Sequence, residues 1–443
     1  MIKTLKFKRQ PKKTVKKKKK EKVLLFQSPK GMRDILPIDQ PWWEKVRKET
    51  EEIAWFYNFS RIDTPILEST DLFERSIGAT TDIVEKEMFY IKSKSKDQLA
   101  LRPEGTAGIV RAYIQNSLSR VSQPFKLYYI GPMFRHEQPQ AGRYRQFNQV
   151  GFEILGGKDD PIHDSQIILA TLRLIEGLKI KNTIIQINSL GCKNCRHAYK
   201  KKLHEYYRRY QNKICRDCKR RFSSNILRLL DCKNEDCEKI KEKAPIIVDY
   251  LCGSCRSHFK ATLEYLDELK VPYIINPYLV RGLDYYNRTA FEIVVEGTNL
   301  ALGGGGRYDS LSELLGGRKN NFSAVGSALG IERLVEAMKL QNAVGVLPHK
   351  TKVFLVQMGL PAKKRGLTLV EEFRKAGIKL GESLEKDSLS SQLKSADKEG
   401  SIFSLILGQK EVFEDNIIIR DMRNGVQEII PLHKIVDEIK KRL

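Results

Sequence analysis

Four consecutive glycines, Gly303 to Gly306, lie within the run Ala301 to Tyr308 and restrict what this part of the chain can form. Glycine weakens a strand because it has no side chain to pack, so strands keep glycines where a ligand or a neighbouring backbone must approach closely. The run matches neither G-x-G-x-x-G at the start of a helix nor the P-loop pattern G-x-x-x-x-G-K-[ST], so neither common nucleotide-binding fold is indicated. It predicts either a strand that a ligand or a neighbouring backbone approaches closely or a flexible hairpin.

The length and charge of the chain limit its class. With 443 residues the chain predicts two or three domains, since domains contain about 100 to 200 residues. Hydrophobic residues make up 41%, and no apolar run approaches the roughly 18 residues of a membrane helix, so a membrane-spanning protein is excluded. The net charge of +25 predicts a polyanionic partner, and nucleic acid is the first to consider.

Residues 1–26 are predicted to form a basic, disordered tail. Residues 1–22 contain twelve Lys or Arg and one acid, so they hold +11 of the net charge and leave +14 for the rest of the chain. Such a block repels itself and buries nothing. It predicts either nonspecific RNA affinity or a solubilising role. Because the tail lacks the apolar segment of a secretory signal, we expect a cytoplasmic protein.

All eight cysteines lie between Cys192 and Cys255, in four close pairs. The pairs are Cys192 and Cys195, Cys215 and Cys218, Cys232 and Cys237, and Cys252 and Cys255. This spacing suits tetrahedral zinc, because one turn presents two thiolates to one metal. The pattern predicts up to two four-cysteine zinc sites within a cysteine-rich insertion at residues 192–262. The alternatives are reduced cysteines that pack as small hydrophobic residues, or a metal site that has partly decayed.

Hydrophobic periodicity predicts an α+β fold. A helix that opens at Pro41 carries on one face Trp43, Val46, Thr50, Ile53 and Tyr57. Between residues 88 and 150, short apolar runs alternate with Gly, Pro and charge, which is typical of antiparallel strands. Beyond a polar linker near residues 341–351, about 90 residues alternate between strand and helix patterns, which predicts a separate α/β domain at 350–443.

Arginines follow a predicted strand at residues 126–130. Arg135 and Glu137 come first, and Arg143 and Phe147 follow. Guanidinium groups match phosphate oxygens with paired donors, and an aromatic ring can stack on a base, so this segment favours a nucleoside triphosphate. A surface ladder of ion pairs would give the same pattern.

Three segments together resemble the motifs of class II aminoacyl-tRNA synthetases. The helix at Trp43 with Thr64-Pro65 resembles motif 1, a dimer-interface element. Phe134 to Phe147 resembles motif 2, and Gly330 to Arg333 resembles motif 3.

Two more segments resemble the peptides that distinguish histidyl-tRNA synthetases within that class. They are Arg281 to Tyr286 and Leu302 to Tyr308. The resemblance runs from about Ser28 to the C-terminus. It implies a catalytic domain at 27–340, with an antiparallel sheet and flanking helices around the cysteine-rich insertion, and an anticodon-binding domain at 350–443. Zinc is not implied by the resemblance, because many relatives lack some or all of these cysteines.

The resemblance implies a binding site for histidine. Glu104, Thr106 and Gln149 would hold its α-amino group, and Glu153 and Tyr286 would hold its imidazole. The same site would include Gly105, Arg135, Arg281, Tyr285 and Gly304. A site that expects two polar contacts from an imidazole rejects apolar analogues strongly.

The resemblance also implies an ATP site and catalytic residues. Arg135 would bind the α-phosphate and Arg143 the γ-phosphate, with Glu137 beside them. Phe147 and Arg333 would sandwich the adenine. Arg281 and Arg135 would be catalytic, with Arg281 stabilising charge at the α-phosphate, and Mg²⁺ would serve the β- and γ-phosphates.

The expected activity is ATP-dependent conversion of L-histidine to histidyl-adenylate with release of pyrophosphate, then transfer to the 3′-terminal adenosine of tRNA(His). A homodimer is expected. One alternative is a catalytically inactive, synthetase-like regulatory subunit of ATP phosphoribosyltransferase. Another is a zinc-dependent RNA-binding protein without catalysis, which explains the charge and the cysteines but not the glycine run.

Overall fold

The structure is a computed structural model. It describes residues 26–79, 81–92, 94, 96–138, 142–298, 301–316, 322–343 and 351–443. Apart from Phe26, the predicted basic tail lies outside these residues, as does most of the predicted linker. The chain divides into two compact units, Met1–Val344 and Gly345–Leu443. Within the described ranges, no helix is both long and apolar enough to cross a membrane.

The first unit contains both strands and helices, each numbered in chain order. Its described strands are β1 (Ser60–Arg61), β2 (Leu67–Ser69), β3 (Phe89–Lys92), β4 (Gln98–Leu101), β5 (Phe125–Phe134), β6 (Gln146–Leu155), β7 (Thr183–Ser189), β8 (Tyr273–Ile275), β9 (Asn287–Val295), β10 (Ala301–Arg307) and β11 (Ala324–Gly330). Its described helices are α1 (Gln40–Phe56), α2 (Thr70–Ile77), α3 (Thr106–Gln115), α4 (Ile162–Gly177), α5 (Lys193–Arg208), α6 (Arg216–Ser224), α7 (Glu235–Lys241), α8 (Gly253–Glu268), α9 (Ser310–Gly316) and α10 (Ile331–Leu340).

The main sheet of this unit is antiparallel through its centre. Its strand order is β1-β5-β6-β11-β10-β9-β7-β8, and only the two edge pairs, β1 with β5 and β7 with β8, are parallel. A smaller antiparallel sheet has the order β2-β4-β3. The predicted antiparallel sheet with flanking helices is confirmed. The glycine run forms the central strand β10, paired on both sides, so the flexible-hairpin alternative is wrong.

The two faces of the main sheet pack against different helices, because successive side chains of a strand point to opposite faces. On β5, Tyr128 belongs to one core, together with residues of α1, α4, α8 and α10. Its neighbour Tyr129 belongs to the other core, together with residues of α3 and α9. The predicted face of α1 is confirmed, since Trp43, Val46 and Thr50 are buried. The face with Tyr129 also contains the functional cleft.

The cysteine-rich segment has a small core of its own. Tyr199, Leu203 and Tyr207 of α5 pack there against Ile226 and Leu229. Helix α8 closes the segment, and its residues Phe259 and Leu266 pack into the core of the main sheet. The segment is therefore fixed to the sheet by α8.

The second unit is a mixed α/β domain, as predicted. Its strands are β12 (Val353–Gln357), β13 (Leu380–Glu382), β14 (Phe403–Leu407), β15 (Asn416–Asp421) and β16 (Gln427–Pro431). Its helices are α11 (Leu360–Lys375), α12 (Leu389–Glu399), α13 (Gln409–Phe413) and α14 (Ile435–Arg442). The sheet order is β13-β12-β14-β15-β16, with parallel pairs on both sides of β12 and antiparallel pairs beyond β14. Apolar cores lie on both faces of this sheet.

Candidate functional site

A cleft of about 970 Å³ lies in the first unit, on the Tyr129 face of the main sheet. Its walls come from strands β5, β6, β9, β10 and β11, the loop before β9 and part of the cysteine-rich segment. The predicted site residues that line it are Glu104, Thr106, Arg135, Glu137, Arg143, Phe147, Gln149, Arg281, Tyr285, Tyr286 and Arg333. Gly105, Glu153 and Gly304 do not line it, although each adjoins or contacts a residue that does.

Glu104 is a buried carboxylate at the N-terminus of α3. Its side chain accepts hydrogen bonds from the backbone N–H groups of Thr106 (2.7 Å) and Ala107 (2.8 Å). The helix terminus suits a negative charge there. The Tyr285 hydroxyl donates a third, longer bond of 3.3 Å. Burial raises the pKa of Glu104, while the two backbone bonds oppose that shift.

Glu153 lies behind the cleft wall rather than on its surface. One carboxylate oxygen accepts from the Thr106 hydroxyl at 2.7 Å, and the other accepts from the Tyr308 hydroxyl. Burial raises the pKa of Glu153 to about 8, although these two hydrogen bonds oppose the shift. Both oxygens therefore have protein partners, and Glu153 reaches the cleft through Thr106.

Four buried polar atoms on the cleft residues have no hydrogen-bond partner among the described residues. They are Tyr129 Oη, Gln149 Oε1, Arg221 Nε and Arg281 Nε. An unpartnered buried polar atom costs about 1 to 3 kcal/mol, so its presence in a cleft favours a polar ligand. Sequence reasoning missed Tyr129. The strand period of two could have identified it. Side chains at alternate positions of a strand lie on the same face, and counting in steps of two from Tyr129 along β5 leads to Arg135, directly after the strand.

The arginines of motif 2 and motif 3 converge on the cleft. Arg135 Nε donates to the carbonyl of Pro103 at 2.9 Å, and its guanidinium lies 5.3 Å from the Phe147 ring centre. Arg143 pairs with Glu137 at 3.4 Å. Arg333 donates to the carbonyl of Ala301 at 2.6 Å, which fixes it against strand β10. This cluster can bind a polyphosphate, because forked donors match phosphate oxygens.

Arg281 depends on the glycine strand for its position. Its Nη1 pairs with Glu292 at 3.5 Å, and its guanidinium lies 5.6 Å from the Tyr286 ring centre. A Cβ on Gly304 would lie 2.7 Å from that Nη1 and 2.3 Å from the carbonyl oxygen of Phe291. A side chain at 304 would therefore displace Arg281 or the neighbouring strand.

The eight cysteines form two groups of four. Cys192, Cys195, Cys252 and Cys255 make one group, and Cys215, Cys218, Cys232 and Cys237 make the other. Within each group all four sulfurs lie within 4.8 Å of one another, and all eight residues are free thiols. The sequence pairs predicted two groups but did not assign their members.

The geometry of both groups suits a tetrahedral metal. Four sulfurs at about 2.3 Å from zinc lie about 3.8 Å apart. The Cys192 and Cys195 sulfurs are 3.6 Å apart, and those of Cys215 and Cys232 are 3.8 Å apart. Backbone N–H groups also donate to the sulfurs, as Cys252 does to Cys195 at 3.1 Å.

Helix termini explain how the chain presents these thiols. Cys192, Cys215 and Cys252 each immediately precede a helix, namely α5, α6 and α8. The second cysteine of each pair then falls on the first turn. A helix N-terminus stabilises a thiolate, which is the form that binds metal. In Cys252, a hydrogen bond from the backbone N–H of Cys255 lowers the thiol pKa.

Comparisons with known proteins agree with this geometry. A family model described as "Histidyl-tRNA synthetase" matches residues 31–334, and one described as "Anticodon binding domain" matches residues 344–442. The histidine–tRNA ligase of Dehalococcoides mccartyi is 43% identical over 95% of this chain and 100% of that protein. The histidine–tRNA ligase of Desulfitobacterium hafniense is also 43% identical, over 95% of this chain and 99% of that protein.

Solved structures give the same result. The crystal structure of apo histidyl-tRNA synthetase from S. aureus has a TM-score of 0.77 and 34% identity, covering 94% of this chain and 99% of that one. A structure titled as an ATP phosphoribosyltransferase regulatory subunit/histidyl-tRNA synthetase from Bacillus halodurans has a TM-score of 0.62 at 20% identity, over 87% and 97%, and shares the fold. The chain belongs to the histidyl-tRNA synthetase family.

Proposed function

We propose that this chain activates L-histidine with ATP and then transfers it to the 3′-terminal adenosine of tRNA(His). The observation that carries the proposal is the cleft itself. It places the buried carboxylate of Glu104 and the unpartnered Gln149 beside an arginine cluster that suits a triphosphate. An amino acid and ATP need these two kinds of site next to each other.

In the first step, the histidine carboxylate attacks the α-phosphorus of ATP. A new P–O bond forms as the bond to the bridging oxygen breaks, and pyrophosphate leaves with that electron pair. Arg281 and Arg135 would stabilise the charge that develops on the α-phosphate, and Arg143 would hold the γ-phosphate. Phe147 and Arg333 would enclose the adenine.

In the second step, the hydroxyl of the terminal adenosine attacks the carbonyl carbon of histidyl-adenylate, and AMP leaves. No protein nucleophile is needed, so positioning does most of the work. Glu104, Thr106 and Gln149 would hold the α-amino group. Tyr286 would contact the imidazole directly. Glu153 would contact it only if the imidazole replaces one of its present partners, Thr106 or Tyr308.

The test is ATP–pyrophosphate exchange with each of the twenty amino acids, with magnesium present and tRNA absent. Exchange with histidine alone is the expected result. No exchange with any amino acid would overturn the proposal and favour the regulatory alternative.

Arg281 gives a second test within the same assay. The Arg281→His variant should slow exchange by about three orders of magnitude, because its contact belongs mainly to the transition state. Histidine should still bind, as measured by calorimetry. Unchanged exchange would contradict the catalytic role of Arg281.

The regulatory alternative has less support. A subunit of that kind would be expected to keep the site imperfectly and usually to lack the anticodon-binding domain. Here the arginines, Glu104 and Gln149 are together in one cleft, and the anticodon-binding model matches residues 344–442. That second unit is the proposed reader of the tRNA anticodon.

Two metals are part of the proposal. Magnesium would bind with ATP and neutralise charge on the β- and γ-phosphates. Glu137 and Glu292 are cleft carboxylates of the kind that it prefers. Zinc would bind at each cysteine group, giving about two ions per chain. Elemental analysis of protein purified without chelators tests this, and the paired variant Cys218→Ser/Cys237→Ser should retain about one ion. An absence of zinc in the unaltered protein would contradict it.

We also propose a cytoplasmic homodimer that forms through motif 1. Apolar side chains near that motif are exposed, including Trp55 (78%), Phe56 (67%) and Leu67 (43%). Burying them between two copies would be favourable. Light scattering should give twice the chain mass of 51.0 kDa. A monomer at micromolar concentration would contradict the dimer.

A further inference from the structure

The loop from Arg281 to Tyr286 carries three side chains of the proposed histidine site, those of Arg281, Tyr285 and Tyr286, but belongs to no helix or strand. On the side of the catalytic core, the backbone N–H of Asp284 donates to the carbonyl of Ile77 at 3.0 Å. On the opposite side the loop is held by two side chains of the cysteine-rich segment, Arg196 and Asn225. What fixes this loop also fixes Arg281.

Arg196 holds the end of the loop. Its Nη1 donates to the main-chain carbonyl of Tyr286 at 2.9 Å and, more weakly, to that of Asp284 at 3.4 Å. Arg196 lies on the first turn of α5, directly after Cys195. Its place is therefore set by the first cysteine group, which joins the start of α5 to the start of α8.

Asn225 holds the middle of the loop. Its side-chain N–H group donates to both carboxylate oxygens of Asp284, at 3.0 and 3.3 Å, and Asn225 is 8% exposed. On the other side the carboxylate lies against Gly78, where even a Cβ would come within 2.9 Å of it. Asp284 is exposed overall, but its carboxylate contacts Asn225 and lies close to Gly78. Asn225 directly follows α6, the helix that begins just after Cys215 of the second group.

Arg281 needs this support because its own side chain is weakly fixed. Among the described residues its ion pair is with Glu292 at 3.5 Å, and its Nε has no partner. Few contacts of the side chain itself therefore resist a shift of the loop. A displacement of about 1 Å at a catalytic group can cost about 100-fold in rate.

We propose that Arg196 and Asn225 are positioning residues for histidine activation. Through the main chain of Tyr286 and the carboxylate of Asp284, they hold the loop that presents Arg281 and Tyr286 to the substrates. The role rests on the proposed function of the cleft. The cysteine-rich segment would then contribute to histidine activation, the step that does not involve tRNA.

The experiment compares Asn225→Ala and Arg196→Met with the unaltered chain in ATP–pyrophosphate exchange. Each variant should lose about 10- to 100-fold in kcat/KM for histidine, while the KM for ATP stays within about twofold. Because Asn225 acts through Asp284, adding Asp284→Ala to Asn225→Ala should cause little further loss. Arg196→Lys keeps a donor for the Tyr286 carbonyl and should restore part of the activity.

Two measurements separate positioning from folding and from the proposed function. Arg208→Met, an exposed arginine on the same helix, is the matched control and should retain full exchange. Hydrogen–deuterium exchange of the peptide covering residues 278–286 should increase in both test variants, with zinc content and melting temperature unchanged. This readout holds even if the unaltered chain activates no amino acid, a result that would overturn only the proposed function. Unaltered loop protection and unaltered kcat/KM in both variants would overturn the positioning role.

Discussion

Replacing Gly304 with alanine tests whether the glycine strand is kept for the space that it leaves. A Cβ at this position would lie 2.3 Å from the carbonyl oxygen of Phe291 and 2.7 Å from Nη1 of Arg281. Ordinary contacts of a Cβ begin at 3.4 Å. Both strand β9 and the guanidinium must therefore move by about 1 Å, because packed interiors have little free volume.

The two contacts predict two separate losses. The Phe291 oxygen belongs to a paired strand and cannot rotate away, so overpacking should cost about 1 to 3 kcal/mol of stability. A 1 Å displacement of Arg281 should lower the rate of histidine activation by about 100-fold, equal to about 2.7 kcal/mol in the barrier. The loss should fall on kcat, because the role proposed for Arg281 is mainly in the transition state.

Pyrophosphate exchange gives the rate, and denaturant unfolding gives the stability. Gly253→Ala is the matched control, because a Cβ there meets nothing within 4 Å. It should leave exchange unchanged. If Gly304→Ala keeps both its rate and its stability, the glycine run is not required for space. If only stability falls, Arg281 can adjust its position and the proposed dependence on Gly304 is refuted.

Three further predictions follow from buried polar groups. Burial raises the pKa of Glu153 to about 8, so the folded state keeps a proton that the unfolded state loses, and stability falls as pH rises from about 4.5 to 8. Glu153→Gln should lack this pH dependence. The melting temperatures of the variant and the unaltered chain should therefore diverge increasingly from pH 5 to 9. Arg307→Met should cost about 3 to 5 kcal/mol in denaturant unfolding, because the buried carboxylate of Asp164 loses its arginine partner and keeps a longer contact of 3.4 Å with His258; a loss below about 1 kcal/mol would contradict this. Tyr129→Phe should lower kcat/KM for histidine by about tenfold yet leave stability equal or higher, because it removes a hydroxyl that is unpartnered among the described residues; a fall in stability with normal exchange would show that the hydroxyl serves the fold.

Local sequence pattern predicted the elements that have strong periodicity. The predicted face of α1 consists of Trp43, Val46, Thr50, Ile53 and Tyr57. The structure buries the first three, leaves Ile53 half-buried and ends the helix before Tyr57. In the second unit, short apolar runs at 352–358 and 402–407 predict strands, and the corresponding strands β12 and β14 are fully buried. The short edge strands β13 and β16 were missed, because three to five partly exposed residues have too little periodicity to detect.

The residues of the candidate site also differ in how well the sequence predicts their positions. Arg135 and Arg281 were assigned to the site because their segments resemble family motifs, and both line the cleft. Glu153 was expected to face the imidazole, yet both its oxygens have partners in Thr106 and Tyr308. The sequence separation of 155 between Glu153 and Tyr308 explains why no local pattern could predict that pair.

The cysteine groups show how little of an arrangement the spacing alone determines. Four pairs allow three ways to build two four-cysteine groups, and the pairing follows from the return of α8 to the start of α5. That return also brings Arg196 to the loop of Arg281. A metal in the first group would then stabilise the hydrogen bond from Arg196 to the Tyr286 carbonyl most directly, since Arg196 directly follows Cys195 of that group. Removal of zinc should therefore slow histidine activation before it unfolds the segment, because losing one hydrogen bond to the loop takes far less free energy than separating the core around Tyr199 and Leu203.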